Sequence, residues 1–374
     1  MTVADLVREA LQAGLRLFPW PTRAGLRVVG SPGRHSPVLV TGNYDLTVRR
    51  VLRAMAGRDA WLVVAPSGGI NVWCASSGGH LGTHQVVTAL KTSGIAERVD
   101  HRDVVLPQLS ATGVLALDVF RRCGWRVRFG PAHCEDLPRY LDADGQKDDR
   151  MRAVRFGPRE RLEMAAAWGV PGALILGGAT SLAKPGWALP FAAGVVALAL
   201  AVFLAYDRLP APRRTWLMVG ASALAALATG LAGGSAGAIA AAAVGAVGVS
   251  LLLTFDYSGS TPLEGGSHFE ERRWHITLDT ERCAGVFRCW EVCPEACFEK
   301  DEPARKVLLA HDERCIRCGA CVAQCPKDAL AFETADGERI DPETTRRYRL
   351  NLMGQRRKPA EGGSAAASSG APPP

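Results

Sequence analysis

An α/β domain, a four-helix membrane domain and a small cysteine-rich α+β domain, in that order, is the architecture the sequence predicts. Three observations predict it. Strands and helices alternate over residues 36–142, four long uncharged segments fall between 164 and 255, and eight of the eleven cysteines lie between Cys283 and Cys325. The 374 residues divide accordingly into an N-terminal segment 1–35, the α/β domain 36–160, four transmembrane helices 164–255, the cysteine-rich domain 270–335 and a tail 355–374.

Within the first domain the β-rich runs are Pro37–Val40, Ala60–Val64, Asp103–Leu106 and Trp125–Phe129, and helical patterns lie near Leu46–Ala56, His84–Thr92, Gly113–Cys123 and Glu135–Leu141. Alternation at this spacing reads as a parallel, Rossmann-like sheet with helices on its faces. Such sheets bind ligands beyond the carboxyl ends of their strands. Those ends lead into Thr41–Asn43, Pro66–Gly79 and Pro107–Thr112, so Thr41, Gly42 and Asn43 are candidate ligand contacts.

Met164–Ala183, Pro185–Tyr206 and Thr215–Phe255 contain no charged residue. The third is too long for one crossing at about twenty residues per span, and Gly233-Gly234-Ser235 divides it into two. A soluble fold rarely hides four such segments. Arginines gather before the first span (Arg150, Arg152, Arg155, Arg159, Arg161) and between the second and third (Arg208, Arg213, Arg214), whereas the other loops offer only Lys184. By the positive-inside rule the protein is a multi-pass protein of the cytoplasmic (inner) membrane with both soluble domains in the cytoplasm. The net charge of +7 then has lipid headgroups, not nucleic acid, as its partner. The N-terminus places acids early and lacks a basic region followed by an apolar core, so it does not read as a signal peptide. From Gln355 the basic, then Gly/Ala/Ser/Pro-rich composition reads as disordered.

Cys315, Cys318, Cys321 and Cys325, followed by Pro326, fit C-x2-C-x2-C-x3-C-P without deviation, the run of a bacterial-type two-cluster ferredoxin domain. A structural zinc site would instead show two well-separated C-x2-C knuckles. The upstream run Cys283, Cys289, Cys293, Pro294 matches the same pattern except that Val286 stands at the second cysteine. The fourth cysteine of each run reaches the other cluster, which assigns Cys315, Cys318, Cys321 and Cys293 to a complete 4Fe–4S cluster. Cys283, Cys289 and Cys325 remain for a second cluster, either 3Fe–4S or 4Fe–4S with one non-protein ligand. Cys297 resembles the extra cysteine of seven-iron bacterial ferredoxins, which sits near the complete cluster without ligating it. Recruitment of Cys297 as a fourth ligand is the alternative. Thiolate-bound iron places these cysteines in a reducing compartment.

Asn71-Val72-Trp73-Cys74-Ala75 follows a strand and a Gly68-Gly69 turn. By chemistry alone Cys74 reads as an ordinary buried thiol, and His80 and His84, four apart, as a structural pair. SPVLVTGNYDLTVRRVL, DAWLVV, GINVWCA and VVLPQLSATGV, however, resemble the corrinoid-binding domain of the mercury-methylation corrinoid protein, itself similar to part of the corrinoid iron–sulfur protein of acetyl-CoA synthesis. The resemblance covers roughly residues 36–160 and continues into a membrane-helix domain. It implies a corrinoid (cobalamin-type) cofactor, with Cys74 as the thiolate lower ligand to cobalt and Asn71, Val72, Trp73 and Ala75 as its cap. A thiolate at the opening of a helix is stabilised by the helix dipole. That family works with a two-cluster ferredoxin, so the chain reads as a fusion of the pair. The departures are three: the cap continues as Ser76-Ser77-Gly78-Gly79 where the family has A-G-K-G, no cysteine follows Cys325, and Val286 replaces a cysteine.

The resemblance thus implies a corrinoid-dependent methyl-transfer protein with a built-in electron donor and an unassigned acceptor, mercury(II) being one that the family uses. A methyl-donor or corrinoid-loading enzyme and an upstream electron donor are its implied partners. The reading from a different class is a membrane-anchored iron–sulfur electron-transfer protein without corrinoid.

Overall fold

The computed structural model describes residues 3–260 and 274–352; the tail 355–374 and residues 270–273 of the expected cysteine-rich domain lie outside them. Element by element, α1 (Val3–Gly14) and β1 (Gly25–Val29) precede the core unit β2 (Val38–Gly42), α2 (Asp45–Ala54) and β3 (Ala60–Ala65). The short α3 (Val72–Ser77), α4 (Thr83–Thr92), α5 (Ile95–Arg98), β4 (Asp103–Leu106), α6 (Ala116–Cys123), β5 (Arg126–Phe129), α7 (Leu137–Asp142) and α8 (Asp149–Arg152) complete the first domain.

The sheet runs β1-β3-β2-β4-β5. Four strands are parallel, with Val38 opposite Trp61, Leu39 opposite Val105 and Asp103 opposite Arg126. β1 is an antiparallel edge, Gly25 opposite Val64 and Val29 opposite Ala60. The sheet is therefore mixed, and the N-terminal segment contributes to it. Strands β2 and β3 (VLVTG and AWLVVA) are buried at every residue, as central strands covered on both faces must be. Leu39, Leu62 and Val64 pack with Val48 and Val51 of α2 and with Met55 just after it on one face. Val40, Trp61 and Val63 pack with Val86 and Leu90 of α4 and Val119 of α6 on the other. The direction of winding reverses between β2 and β4, and a crevice opens there beyond the strand ends.

Four helices follow: α9 (Pro158–Ala183), α10 (Pro185–Ala205), α11 (Arg213–Leu231) and α12 (Ala236–Ser260), all long and apolar enough to cross a membrane. The first starts six residues before its uncharged stretch because Pro158 occupies its first turn and Glu160 Oε2 accepts the Gly157 N–H at 3.0 Å. Gly169, Gly172 and Gly177 let α9 lie close on α10, since an added Cβ would meet Ala199, Val195 and Ala192 at 3.0–3.3 Å. At the charged end of this pair Arg161 makes a bidentate ion pair with Asp207, 2.8 and 2.9 Å. α11 and α12 are separated at Gly233-Gly234-Ser235, where Gly233 has φ +74°.

α1 lies against α9 and α2 through charges: Arg50 and Arg16 pair with Glu163, and Arg53 and Arg159 with Glu9. Its other side leaves Val3, Val7 and Leu11 exposed in one helical row.

The last domain contains β6 (His275–Leu278), α13 (Arg288–Val292), β7 (Phe298–Asp301), β8 (Lys306–Leu309), α14 (Ala320–Gln324), β9 (Leu330–Glu333), β10 (Arg339–Ile340) and α15 (Pro342–Tyr348). A three-stranded sheet (β10-β9-β6) and the β7–β8 hairpin frame the cysteine loops. This domain docks on the β5 edge. Glu291 Oε1 accepts the Phe129 N–H at 3.0 Å, Arg288 donates to the Val127 carbonyl at 3.2 Å, and Gln324 Nε2 donates to the Ala111 and Val114 carbonyls, each at 2.8 Å. Unpaired edge groups of the strand are thus met by side chains instead of water. Val292, Ile316 and Ala320 complete the apolar seam.

Candidate functional site: a cavity between the cap cysteine and an iron–sulfur cradle

A cavity of about 730 Å³ occupies the crevice at the winding reversal. Its floor is the carboxyl ends of β2 and β4 (Val40, Thr41, Leu106, Pro107). Asn71, Val72, Trp73 and Cys74 form one wall, and His133, Cys134 and Glu135 after β5 another. Pro294, Glu295 and Ile316 of the cysteine-rich domain and Met164, Ala167 and Trp168 of α9 close it. Three parts of the chain therefore meet at one volume.

Five of the eight expected contacts line it. Asn71 caps α3, its Oδ1 accepting the Cys74 N–H at 3.0 Å, which fixes the thiol on the first turn, exposed to the cavity. Thr41 Oγ1 is buried and has no hydrogen-bond partner although its residue is only 1% exposed. An orphaned hydroxyl on the floor of a cavity asks for a polar group from a ligand. Gly42, Asn43 and Ala75 do not line the cavity. Asn43 Oδ1 accepts the Ser67 and Gly69 N–H groups at 2.8 and 2.9 Å, and its Nδ2 donates to the Thr22 carbonyl at 3.1 Å, so it laces loops together. A Cβ on Gly42 would meet Ser67 Oγ at 2.6 Å, and Ala75 is fully buried beneath α3. Gly113 holds the ATG loop against α3, since a Cβ there would meet the Ser76 carbonyl at 2.6 Å.

Cys134 was not among the expected contacts. Burial pushes its thiol up to about 12, helped by Glu135. The signal that could have found it is its place in the loop after β5, another carboxyl end. His133, lowered by burial, accepts the Arg155 N–H at 2.9 Å.

The cysteines divide as the crossover pattern predicts. Cys293, Cys315, Cys318 and Cys321 surround one hollow and Cys283, Cys289 and Cys325 a second. No three His, Cys, Asp or Glu side chains among the described residues converge on a point that could hold a single ion. Each hollow is lined by at least three cysteines, the donor set of an iron–sulfur cluster. The two runs also share a backbone: φ is positive at Gly285 and Arg317, at Phe287 and Gly319, and at Ala296 and Asp328. The first two pairs flank Val286 and Cys318 alike, so the valine stands where Cys318 stands in the other run. Backbone N–H groups donate to sulfur in both: Arg317 to Cys315, Cys297 to Cys293 and Ala329 to Cys325, at 3.3–3.4 Å. Such bonds tune the potential of a cluster.

Cys297 is 1% exposed and sits against Cys293 and Cys315 in the complete cradle, away from the three-cysteine hollow. Burial pushes Cys289 up to about 12 and Cys318 and Cys321 higher as well, whereas the hydrogen bonds from Cys297 lower Cys293 and Cys315.

Between the domains Lys147 Nζ donates to Gln108 Oε1 (2.9 Å), the Gly130 carbonyl (3.0 Å) and the Glu291 carbonyl (2.5 Å). Burial pushes its ammonium down to about 7, against the opposing pull of Glu291.

The fold and site define a chain that joins a corrinoid-protein-like domain to an iron–sulfur domain. Residues 17–141 match the CO dehydrogenase/acetyl-CoA synthase delta subunit family, and residues 282–330 match the 4Fe–4S dicluster domain. Among curated relatives, the acetyl-CoA decarbonylase/synthase complex subunit gamma of Methanopyrus kandleri is 33% identical over 129 residues, 34% of this chain and 28% of that protein. The corresponding subunit of Archaeoglobus fulgidus is 32% identical over 126 residues, 33% and 26% of the two chains. Subunit gamma 2 of Methanosarcina mazei is 36% identical over 118 residues, 30% and 25%. The match thus spans between a quarter and three-tenths of each relative. The two matched families support iron–sulfur clusters and a corrinoid as cofactors.

Proposed function

We propose that the chain is a membrane-bound methyl-transfer protein in which a Rossmann-like corrinoid domain and its electron donor are fused. The observation that carries the reading is the cavity itself, lined on one side by Cys74 and on the other by Pro294 and Ile316, neighbours of two inner-cluster cysteines. A corrinoid held there supplies a cobalt centre that takes up and gives up a methyl group, and the clusters supply the electrons that restore its reduced form.

The residues have separate tasks. Cys74, positioned by Asn71, offers a thiolate from the cap, and Thr41 offers a hydroxyl from the floor. Trp73, Pro294 and Ile316 give the cavity an apolar lining. Cys293, Cys315, Cys318 and Cys321 hold a 4Fe–4S cluster, and Cys283, Cys289 and Cys325 a second cluster, either 3Fe–4S or 4Fe–4S with one non-protein ligand. α9–α12 span the cytoplasmic membrane with both soluble domains on the cytoplasmic side, as the arginine-rich loops favour. The acceptor is unassigned. The motifs resemble the mercury-methylation protein, and mercury(II) would be met by the soft thiol Cys134 in the same cavity.

Anaerobic reconstitution of the detergent-solubilised chain with cobalamin, followed by cobalt and iron analysis and absorption spectroscopy, tests the reading. One corrinoid per chain is expected. A protein that takes up iron but no corrinoid is the electron-transfer protein of the alternative reading.

A further inference from the structure

The helix α1 is built inside out. Its polar residues face the protein: Asp5 pairs with Arg49, Glu9 with Arg53 and Arg159, and Arg16, in the turn that follows, with Glu163. Gln12, fully buried, donates from Nε2 to Asp45 Oδ2 at 2.8 Å. Arg8, at the border of the two faces, reaches the same carboxylate at 3.2 Å. Val3, Val7, Ala10 and Leu11 fall within about 100° of one another around the helix axis. All four are exposed, as are Leu17 and Phe18 in the turn beyond. A helix on a water-facing domain surface has the opposite arrangement, apolar stripe inward and charges outward. The row also leads onto the first membrane span. Gly14 continues it, and a Cβ there would meet Val170 Cγ2 of α9 at 3.4 Å, ordinary van der Waals contact. Leu174, one turn further on the same face of α9, is exposed. Glu163, which takes Arg16 and Arg50, is the last charged residue before the uncharged stretch of α9. At a rise of 1.5 Å per residue, Val170 lies about 9 Å beyond Met164, inside that stretch.

Resting on the reading that α9–α12 cross the membrane, we infer that the apolar row of α1 is a membrane-docking surface, seated in the headgroup–acyl boundary of the bilayer that holds α9. Interfacial helices sink their apolar face about 5–10 Å into that boundary, which is the depth at which Gly14 meets α9. Continuity selects the occupant. The row, Val170 and Leu174 make one apolar surface, and its α9 end faces lipid in the proposed topology, so the bilayer bounds the row where it meets the span. On the other face Asp5 and Glu9 fasten α1 to Arg49 and Arg53 of α2, so docking holds the α/β domain in one orientation on the membrane surface. Arg16 and Leu17 also line the cavity, which makes the docked segment part of the wall between cavity and bilayer.

The test uses the full-length chain, with its clusters reconstituted, in phosphatidylcholine nanodiscs doped with a phospholipid that carries a diazirine in its acyl chain. After illumination, proteolysis and mass spectrometry map the lipid adducts. In the wild-type chain adducts should appear on the α1 row and the Leu17–Phe18 turn as well as on α9–α12. Leu117 and Phe120 of α6, comparably exposed apolar residues of the same domain, should carry none. Val7→Glu/Leu11→Glu should lower labelling of α1 about tenfold, because two carboxylates resist entry into the acyl boundary. Labelling of α9–α12 and iron content should be unchanged, since both side chains lie on the surface. Wild-type α1 that stays unlabelled while α9–α12 are labelled overturns the inference and means that another chain covers the row. A double variant labelled like wild type overturns it too. Failure of the membrane reading has a different signature: no adducts on α9–α12 either.

Discussion

Gln108 Nε2 donates to the Cys293 carbonyl oxygen at 3.2 Å, which ties the loop beyond β4 to the four-cysteine hollow of the last domain. The same nitrogen donates to the Arg152 carbonyl at 2.6 Å, and Oε1 accepts from Lys147. Gln108 is fully buried, so Gln108→Leu keeps the volume but strands these partners. A loss of about 2 kcal/mol or more in denaturant unfolding is expected, because buried polar groups without partners each cost about 1–3 kcal/mol. Cluster content should be retained at low denaturant. A variant as stable as wild type would mean that this contact does not hold the domains together.

Lys147 makes the same interface sensitive to pH. Its folded pKa of about 7 lies below the ordinary lysine value, so between pH 7 and about 10 the unfolded chain binds more protons than the folded one. Stability should therefore rise with pH through this window and show no further contribution from Lys147 below the folded pKa. Lys147→Met should flatten the rise. Thermal midpoints at pH 7, 8 and 9, compared between wild type and variant, check the sign.

Cluster assignments follow from the shared backbone of the two runs. Val286→Cys places a thiol at the position matching Cys318, and the expected result is a four-iron cluster at the outer site, with one iron gained if the wild-type centre is 3Fe–4S. Cys318→Ala should abolish the complete 4Fe–4S signal, whereas Cys297→Ala should leave both clusters largely intact. Anaerobic iron counts with electron paramagnetic resonance read all three. Loss of the outer cluster in the Cys297 variant would contradict the placement of that residue beside Cys293 and Cys315.

Much of this arrangement is legible in the sequence because it depends on local signals. Cysteine spacing separates the two hollows, and even Val286 is recognised as a substituted ligand position. The fully apolar β2 and β3 and the Gly233–Ser235 break are equally direct. What the sequence conceals is non-local. β1 reads as part of an unassigned leader because an edge strand of sequence GLRVV has no strong alternation until β3 pairs with it. Asn43, read as a ligand contact, turns out to bind backbone, a role that depends on where Ser67 and Gly69 come to lie. Cys134 enters the site only through the crossover that brings β5 beside β4.

Membrane topology has its own test. In the proposed topology the arginine-rich loops before α9 and between α10 and α11 lie in the cytoplasm. Reporter fusions at Ala211 and Gly259 should read cytoplasmic and one at Lys184 external. An external reading at Gly259 would require an odd number of spans.

The last prediction concerns the two side chains that face a corrinoid in the proposed site. Cys74→Ala removes the thiol with little change of volume, and the residue is exposed to the cavity, so the fold and the clusters should survive. Corrinoid should bind with an altered cobalt spectrum or at reduced occupancy, and methyl transfer should be lost. Thr41→Val acts on the floor of the cavity. It replaces a buried hydroxyl that has no partner in the protein by a methyl group of the same shape, so the corrinoid-free chain should be as stable as wild type or slightly more so. Affinity for the corrinoid should nevertheless fall, because the ligand loses a hydrogen-bond partner worth about 1 kcal/mol, or roughly fivefold in Kd. Stability and affinity moving in opposite directions is the signature of a binding residue. If Thr41→Val instead destabilises the corrinoid-free chain, the hydroxyl serves the fold; and if Cys74→Ala leaves the cobalt spectrum unchanged, the cavity keeps its corrinoid but Cys74 is not its ligand.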